Sequence, residues 1–189
     1  MLTFYLVRHG NTENNRAGKT SGQIDTPLTE EGFKNADVLV EKLQHIRFDH
    51  VYSSDLGRAF ITAFILAEKL NLLPRISRDK SLREIDFGMY TNRKKEDLIR
   101  ECSEYKNAAD FVFPEGESYA QVQERAVKFI HHLERTHPDQ TLLLVTHSGV
   151  IRAIKCFFRG LNLADHLGMK ITHEYIGKFV IEKGQLVNL

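Results

Sequence analysis

Leu2-Thr3-Phe4-Tyr5-Leu6-Val7-Arg8-His9-Gly10-Asn11-Thr12-Glu13-Asn14-Asn15 holds an apolar run that stops abruptly at an arginine-histidine pair. Leu2, Phe4, Leu6 and Val7 have strand-forming character, and Gly10 allows a tight turn that other residues resist. The histidine is thereby left at the rigid mouth of a buried strand, beside an arginine, a pair that can bind a phosphate and attack it. By itself Arg8-His9-Gly10 is a weak signal, because a core strand followed by a solvated polar turn also accounts for it. A second stretch carries the same pattern. In Leu142-Leu143-Leu144-Val145-Thr146-His147-Ser148-Gly149-Val150-Ile151-Arg152 an apolar strand ends in a histidine and a glycine ahead of a helical segment. Two histidines at two strand ends read as one site.

At 189 residues and 42% hydrophobic content, the chain has the size of one compact domain and can bury a substantial core. Lys and Arg number 26 against 25 Asp and Glu, a formal charge of +1. No global field therefore marks a nucleic-acid binder, and any anion site must be local. The amino terminus carries no basic leader, and its apolar run is far shorter than the ~20 residues of a membrane span. A cytoplasmic protein without membrane association is expected. Cys102 and Cys156 form no C-x-x-C pair, so neither a disulfide framework nor a zinc knuckle is indicated, and Cys156 reads as a core thiol.

Thr29 is a candidate helix N-cap with Glu30 and Glu31 in the first turn. The helix it opens extends to about residue 46, with Phe33, Ala36, Val40 and Leu43 as its apolar stripe. A strand over 50–53 runs through Ser53-Ser54 into a helix over 59–70. Val122, Ala126, Phe129, Ile130 and Leu133 mark a further amphipathic helix, followed by a strand over 141–146 and a helix over 149–159. The tail, 174–181 and 185–188 around Lys183-Gly184, reads as a hairpin. Strands alternating with helices predict an α/β fold: three α/β/α layers around a mainly parallel central sheet with antiparallel edge strands. Ligands of such sheets bind at the carboxyl ends of the strands, where His9, Ser53-Ser54-Arg58 and His147 all fall. Residues 88–117 fit the alternation poorly and read as a small cap-like excursion over the site, within a single domain spanning 1–189.

Six motifs occur in order: Arg8-His9-Gly10 with Asn15; Asp25-Thr26-Pro27-Leu28-Thr29; Ser53-Ser54-Asp55-Leu56-Gly57-Arg58-Ala59; Leu82-Arg83-Glu84-Ile85-Asp86-Phe87-Gly88; Pro114-Glu115-Gly116-Glu117-Ser118; and Val145-Thr146-His147-Ser148-Gly149. Together they resemble the histidine phosphatase superfamily, phosphoglycerate mutase-like branch, from Phe4 to about Arg152. The resemblance implies that His9 is the nucleophile, whose ring nitrogen attacks phosphorus and carries the phosphoryl group until water takes it. Imidazole suits this role, since its unperturbed pKa of about 6.5 leaves much of it neutral, and positive charge from Arg8 and Arg58 keeps it so.

Phosphate-monoester hydrolysis is among the slowest uncatalysed reactions, with enzymatic accelerations up to ~10²¹, so charge on three oxygens must be neutralised as well. Arg8, Arg58 and His147 match the family's oxygen-binding positions. The guanidinium groups can bind bidentately, and His147, when protonated, adds a third positive donor. The resemblance further implies Glu84 as the acid that protonates the leaving alkoxide and then activates water. It gives Asn15 as a phosphate ligand and Ser21-Gly22 as a loop whose backbone touches substrate. The N–H groups at Ser148-Gly149, opening a helix, favour the same anion. No cofactor and no metal are implied. His45, His50, His131, His132, His137, His166 and His173 show no metal-ligand spacing such as H-E-x-x-H.

The chain departs from the family at Asn11, where glutamate or glutamine is frequent, and at Tyr90-Thr91-Asn92, where Trp-Glu-Gly is frequent. Both lie near the leaving group and bear on substrate identity. The expected activity is a phosphomonoesterase that transfers the phosphoryl group of a small phosphorylated metabolite to water. Thr146-His147-Ser148-Gly149-Val150-Ile151-Arg152-Ala153 looks most like alpha-ribazole phosphatases and broad-range relatives, which makes alpha-ribazole phosphate a candidate substrate. A phosphoglycerate or sugar-phosphate mutase is the first alternative, and a catalytically silent phospho-ligand binding or scaffold domain the second. The partner expected is the small phosphomonoester, for a monomer or homodimer.

Overall fold

The structure is a computed structural model that describes residues 1–106 and 108–187. Asn188, the expected end of the tail hairpin, and Asn107 within the expected excursion lie outside the described residues, as does the His166 side chain. Six strands, β1 (Leu2–Arg8), β2 (His50–Ser53), β3 (Ile76–Arg78), β4 (Thr141–Thr146), β5 (Ile176–Glu182) and β6 (Gln185–Leu186), form one sheet in the order β3-β2-β4-β1-β5-β6. β4 pairs in parallel with β1 and β2, and β2 with β3. β5 runs antiparallel to β1, and β6 antiparallel to β5, which makes the tail hairpin the antiparallel edge.

The continuous apolar run of β4 follows from its central place. Leu142, Leu143, Leu144 and Val145 are all fully buried, as a strand covered on both faces requires. Successive side chains point to opposite faces. Leu142 and Leu144 join a cluster with Phe4 and Leu6, while Leu143 and Val145 join Val7 and Val51 on the other side. α5 (Tyr119–Thr136) and α6 (Ser148–Phe158) cover the first face; α2 (Glu30–Leu43) and α3 (Gly57–Lys69) cover the second. The short helices α1 (Glu13–Arg16) and α4 (Lys95–Glu101) lie outside these layers. Among the described residues no helix is long and apolar enough to cross a membrane.

The apolar stripe expected on α2 is rotated. Gly32, Asn35, Ala36, Leu39 and Leu43 face inward, Val40 is partly buried, and Phe33 is 47% exposed. The cause is the turn after β1. A Cβ on Gly10 would lie 2.2 Å from the Gly32 carbonyl oxygen, and one on Gly32 would lie 2.1 Å from that of Asn11. The two backbones can touch only where both residues are glycine. Asn35 then accepts the Asn11 N–H at 3.1 Å, and Thr29 caps the helix by accepting the Gly32 N–H at 3.1 Å. These contacts fix the rotation of α2, which ends at Leu43 instead of near residue 46.

α3 begins at Gly57, two residues before its expected start. Leu56 offers no cap, and the Gly57 N–H instead donates to the Asp25 carboxylate at 2.6 Å. A cap borrowed from a distant loop leaves no local signal. β3 was also not expected; its three residues hold the sheet edge by pairing with β2.

Candidate active site

β1 and β4 end side by side. The His9 N–H donates to the Thr146 carbonyl at 3.0 Å, one step past the strand, and His147 follows Thr146 directly. The two imidazole centroids are 5.0 Å apart, and both residues are buried. Arg58, in the first turn of α3, is 1% exposed and reaches the same point. The parallel register thus gathers residues from three separate stretches of chain.

His9 Nδ1 lies 2.7 Å from the Gly10 carbonyl oxygen. A carbonyl can only accept, so Nδ1 carries the proton and the lone pair resides on Nε2. The pKa of His9 is lowered well below the ordinary histidine value, first by burial and then by the charges of Arg58 and Arg8. His147 is shifted the same way by burial, Arg58 and His9. The same burial and neighbouring charges disfavour the protonated ring on which a third positive donor at His147 would depend. The His9 carbonyl accepts an N–H from Nδ1 of His173 at 2.8 Å. Burial and Arg8 push the pKa of His173 down to about 4.

A cavity of about 260 Å³ opens above His9. Arg8, Asn15, Ser21, Gly22, Arg58, Glu84 and Ser148 reach its wall with His9, whereas His147 is enclosed behind it. Arg58 donates from Nη1 to Ile24 O and from Nη2 to Gly22 O, both at 2.7 Å, and Arg8 donates from Nη1 to Ile171 O at 2.8 Å. Several buried polar atoms have no protein partner among the described residues: Nε of Arg8 and of Arg58, Ser21 Oγ and both ring nitrogens of His147. Buried polar groups are normally hydrogen-bonded, and exceptions mark strain or a ligand site. Asn15 closes a capping box with Thr12, accepting its N–H through Oδ1 at 3.3 Å.

Glu84 departs from the expected arrangement. The Gly149 amide at the start of α6 does not face the cavity freely, because it holds this carboxylate. The Gly149 N–H lies 3.1 Å from Oε1 and 3.3 Å from Oε2, and Ser148 Oγ donates to Oε2 at 3.4 Å. A Cβ on Gly149 would stand 2.3 Å from Oε1. A helix N-terminus presents N–H groups that need acceptors, and here the side chain of Glu84 supplies one.

Four positively charged or polar groups near the site were not anticipated. Lys19, Lys95 and Arg152 line the cavity with Arg8 and Arg58, beside Phe87, Leu98 and Ile99. The pKa of Lys95 is lowered by burial and by the charges of Arg8 and Arg152, with Glu84 opposing. Arg152 sits one helical turn after Ser148 on α6, a spacing visible in the sequence. Lys95 belongs to the charged run within the expected excursion over the site, but nothing in that run singles it out from its neighbours. His173 reaches His9 because the antiparallel register sets Ile176 opposite Val7, and no local pattern encodes that register. Among the described residues no three His, Cys, Asp or Glu side chains converge as a metal site needs.

The chain matches the family model described as the histidine phosphatase superfamily (branch 1) over residues 4–188. It is 32% identical over 169 residues to phosphoserine phosphatase 1 of Hydrogenobacter thermophilus, covering 87% of this chain and 79% of that protein. It is 37% identical over 158 residues to an adenosylcobalamin/alpha-ribazole phosphatase of Salmonella typhimurium, covering 79% and 76%. The solved structure of YhfR from Bacillus stearothermophilus superposes with a TM-score of 0.88 at 28% identity, over 99% of this chain and 95% of that one.

Proposed function

We propose, on the premise that the chain belongs to branch 1 of the histidine phosphatase superfamily, that His9 Nε2 attacks the phosphorus of its substrate. The chain is a phosphomonoesterase that acts on small phosphorylated metabolites. The observation that carries the mechanism is the His9 Nδ1–H bond to the Gly10 carbonyl at 2.7 Å. It fixes the tautomer with its lone pair on Nε2, and it continues to accept the Nδ1 proton when phosphorylation makes the ring cationic.

As the P–N bond forms, the P–O ester bond breaks, and the departing oxygen takes a proton from Glu84, which enters this step as the carboxylic acid after receiving the proton of the monoanionic substrate phosphate. Water then attacks the phosphohistidine, giving its proton to Glu84, and the electron pair of the P–N bond returns to Nε2. Arg8 and Arg58 neutralise the phosphoryl oxygens, and their unpartnered Nε atoms, with Ser21 Oγ and a ring N–H of His147, supply the remaining donors. Asn15, Gly22 and Ser148 complete the binding wall. Nucleophile, acid and charge neutralisation all come from side chains, so the reaction is metal-independent.

Five cations, Arg8, Lys19, Arg58, Lys95 and Arg152, line the cavity with Glu84 as the carboxylate among them. That surplus suits a phosphoester carrying a second anionic group, as in a phosphorylated amino or hydroxy acid, better than alpha-ribazole phosphate. We read residues 88–117 as the cap of a single catalytic unit, and the free, buried Cys102 and Cys156 as thiols of a cytoplasmic enzyme. The experiment is incubation with chelator against phosphoserine, phosphoglycerates, sugar phosphates and alpha-ribazole phosphate, measuring released phosphate and isomerised product. Phosphate release that is fastest on carboxylated esters is expected. Isomerisation without release would replace hydrolysis by a mutase reaction, and preference for alpha-ribazole phosphate would overturn the anionic-substrate reading.

A further inference from the structure

We propose that Arg125 is a positioning residue for Glu84, acting through an ion pair with Glu117 that grips the main chain on both sides of the proton donor. The inference rests on the reading of Glu84 as the acid. It gives a purpose to Pro114-Glu115-Gly116-Glu117-Ser118, a motif that no step of the reaction uses.

Glu84 lies in an irregular stretch after the short 3₁₀ turn Lys80–Leu82, so no helix or strand fixes its backbone. Arg125 supplies that constraint. Its Nε donates to Glu117 Oε1 at 3.0 Å and its Nη2 to Oε2 at 3.1 Å. The same guanidinium donates from Nη1 to Ser81 O at 2.7 Å and from Nη2 to Glu84 O at 3.2 Å. Glu117 in turn grips Asp86 twice: its Oε2 accepts the Asp86 N–H at 3.1 Å, and its own N–H donates to Asp86 O at 2.9 Å. Gln23 Nε2 bridges the assembly, donating to both Glu84 O and Glu117 Oε2 at 3.3 Å. Residues 81, 84 and 86 are thereby held to one ion pair.

Two features make this more than surface decoration. The Arg125 and Glu117 side chains are only 21% and 23% exposed, and a bidentate guanidinium-carboxylate pair adds geometric specificity to its energy. The base of the clamp is also rigid. Ser118 and Gln121 form a reciprocal capping box at the start of α5, with bonds of 2.8 Å and 3.2 Å, and Arg125 follows one turn later. The Glu84 carboxylate must meet a narrow target beside Gly149, and misplacement by about 1 Å can cost on the order of 10²-fold in rate. The clamp sets where the acid stands; it does not touch the reacting atoms.

The test compares Arg125→Gln with wild type on glycerol phosphate, whose alkoxide needs a proton, and on p-nitrophenyl phosphate, whose leaving group does not. We expect kcat on glycerol phosphate to fall about 10- to 100-fold, with KM and the p-nitrophenyl phosphate rate within about twofold of wild type. In a Glu84→Gln background the same substitution should add nothing. Equal losses on both substrates, or full additivity with Glu84→Gln, would assign Arg125 a purely structural role and overturn the proposal. Should Arg125→Gln fail to fold, Gln23→Ala removes one bond to Glu84 O without stranding a charge. It should show the same leaving-group bias at about threefold, and absence of that bias overturns the clamp. If Glu84→Gln itself shows no leaving-group dependence, the acid reading fails and the clamp with it. If Glu84→Gln shows it and Arg125→Gln does not, only the clamp fails.

Discussion

The floor and the roof of the cavity are built on different principles. The floor consists of His9, Arg8 and Arg58, backed by the enclosed His147, at strand ends or a helix start, all within or beside the central sheet and largely buried. The roof is the part of the wall where the seven-residue helix α4 brings Lys95, Leu98 and Ile99 to the cavity, tied to the turn after α1 by the Lys95 N–H bond to Gly18 O at 3.0 Å. Under the proposed mechanism the rigid floor carries the chemistry common to every phosphomonoester, and the roof is the part that can vary with the leaving group without disturbing the sheet. Rigidity and variability are thus separated in space, as is general for sites on loops above a scaffold.

His9→Ala should expose that separation most sharply. As the proposed nucleophile, His9 would make a bond that no neighbour can replace, so turnover of every phosphomonoester should fall below detection while the fold persists. Circular dichroism together with phosphate release checks both halves, and retained turnover would remove the floor from the mechanism. The same variant bears on stability. His9 and His147 have folded-state pKa values well below about 6.5, the value of an unfolded histidine, and His173 lies at about 4. Below pH 6.5 the unfolded chain binds protons that the folded chain refuses, so stability is complete above that pH and declines as pH falls. Tm of the wild type should drop between pH 7.5 and 5. His9→Ala should lose less over that interval, by up to about 1.4 kcal/mol per pH unit below 6.5. A pH-independent difference between the two proteins would mean that His9 is not held neutral by its surroundings.

The roof predicts a smaller effect of another kind. Lys95→Gln removes a cation from the cavity wall but leaves the sheet untouched. On phosphoserine KM should rise about tenfold, equivalent to roughly 1.4 kcal/mol, with kcat within twofold. On p-nitrophenyl phosphate, which has no second anion, both constants should stay at wild-type values. A loss in kcat on both substrates would show that floor and roof are one functional unit and erase the distinction.

The same division explains what could be read from the sequence. The strands β1, β2 and β4, the helices between them and the tail hairpin announce themselves through apolar runs, caps and turns, and the residues at their ends were legible with them. Thr29 as N-cap is an example, because its bond to the Gly32 N–H lies within one turn. The roof residue Lys95 and the flanking His173 were not legible. Each gains its meaning from a partner far along the chain: His173 from the register of β5 against β1, and Lys95 from the placement of α4 against the cavity that Arg8 and Arg152 also line. The Asp25 cap on α3 and the Glu84 carboxylate on α6 belong to the same class. Both are helix N-terminus interactions supplied by another segment, which local spacing does not reveal.

The smallest effect concerns how α2 supports the floor. Periodicity alone puts Phe33 in the core, and loss of a buried Phe side chain costs about 3–5 kcal/mol, on the order of 10 °C in Tm for a chain of this size. The structure instead turns Phe33 to the surface, 47% exposed, because the Gly10–Gly32 contact and the Asn35 bond to the Asn11 N–H rotate the inward face toward Gly32, Asn35 and Leu39. Phe33→Ser should therefore change stability by no more than about 0.5 kcal/mol and leave turnover unchanged. Thermal denaturation separates the two cases cleanly. A loss near the core value would mean that α2 packs by its Phe33 face. The glycine contact that seats the turn after His9 would then not be the element that orients this helix.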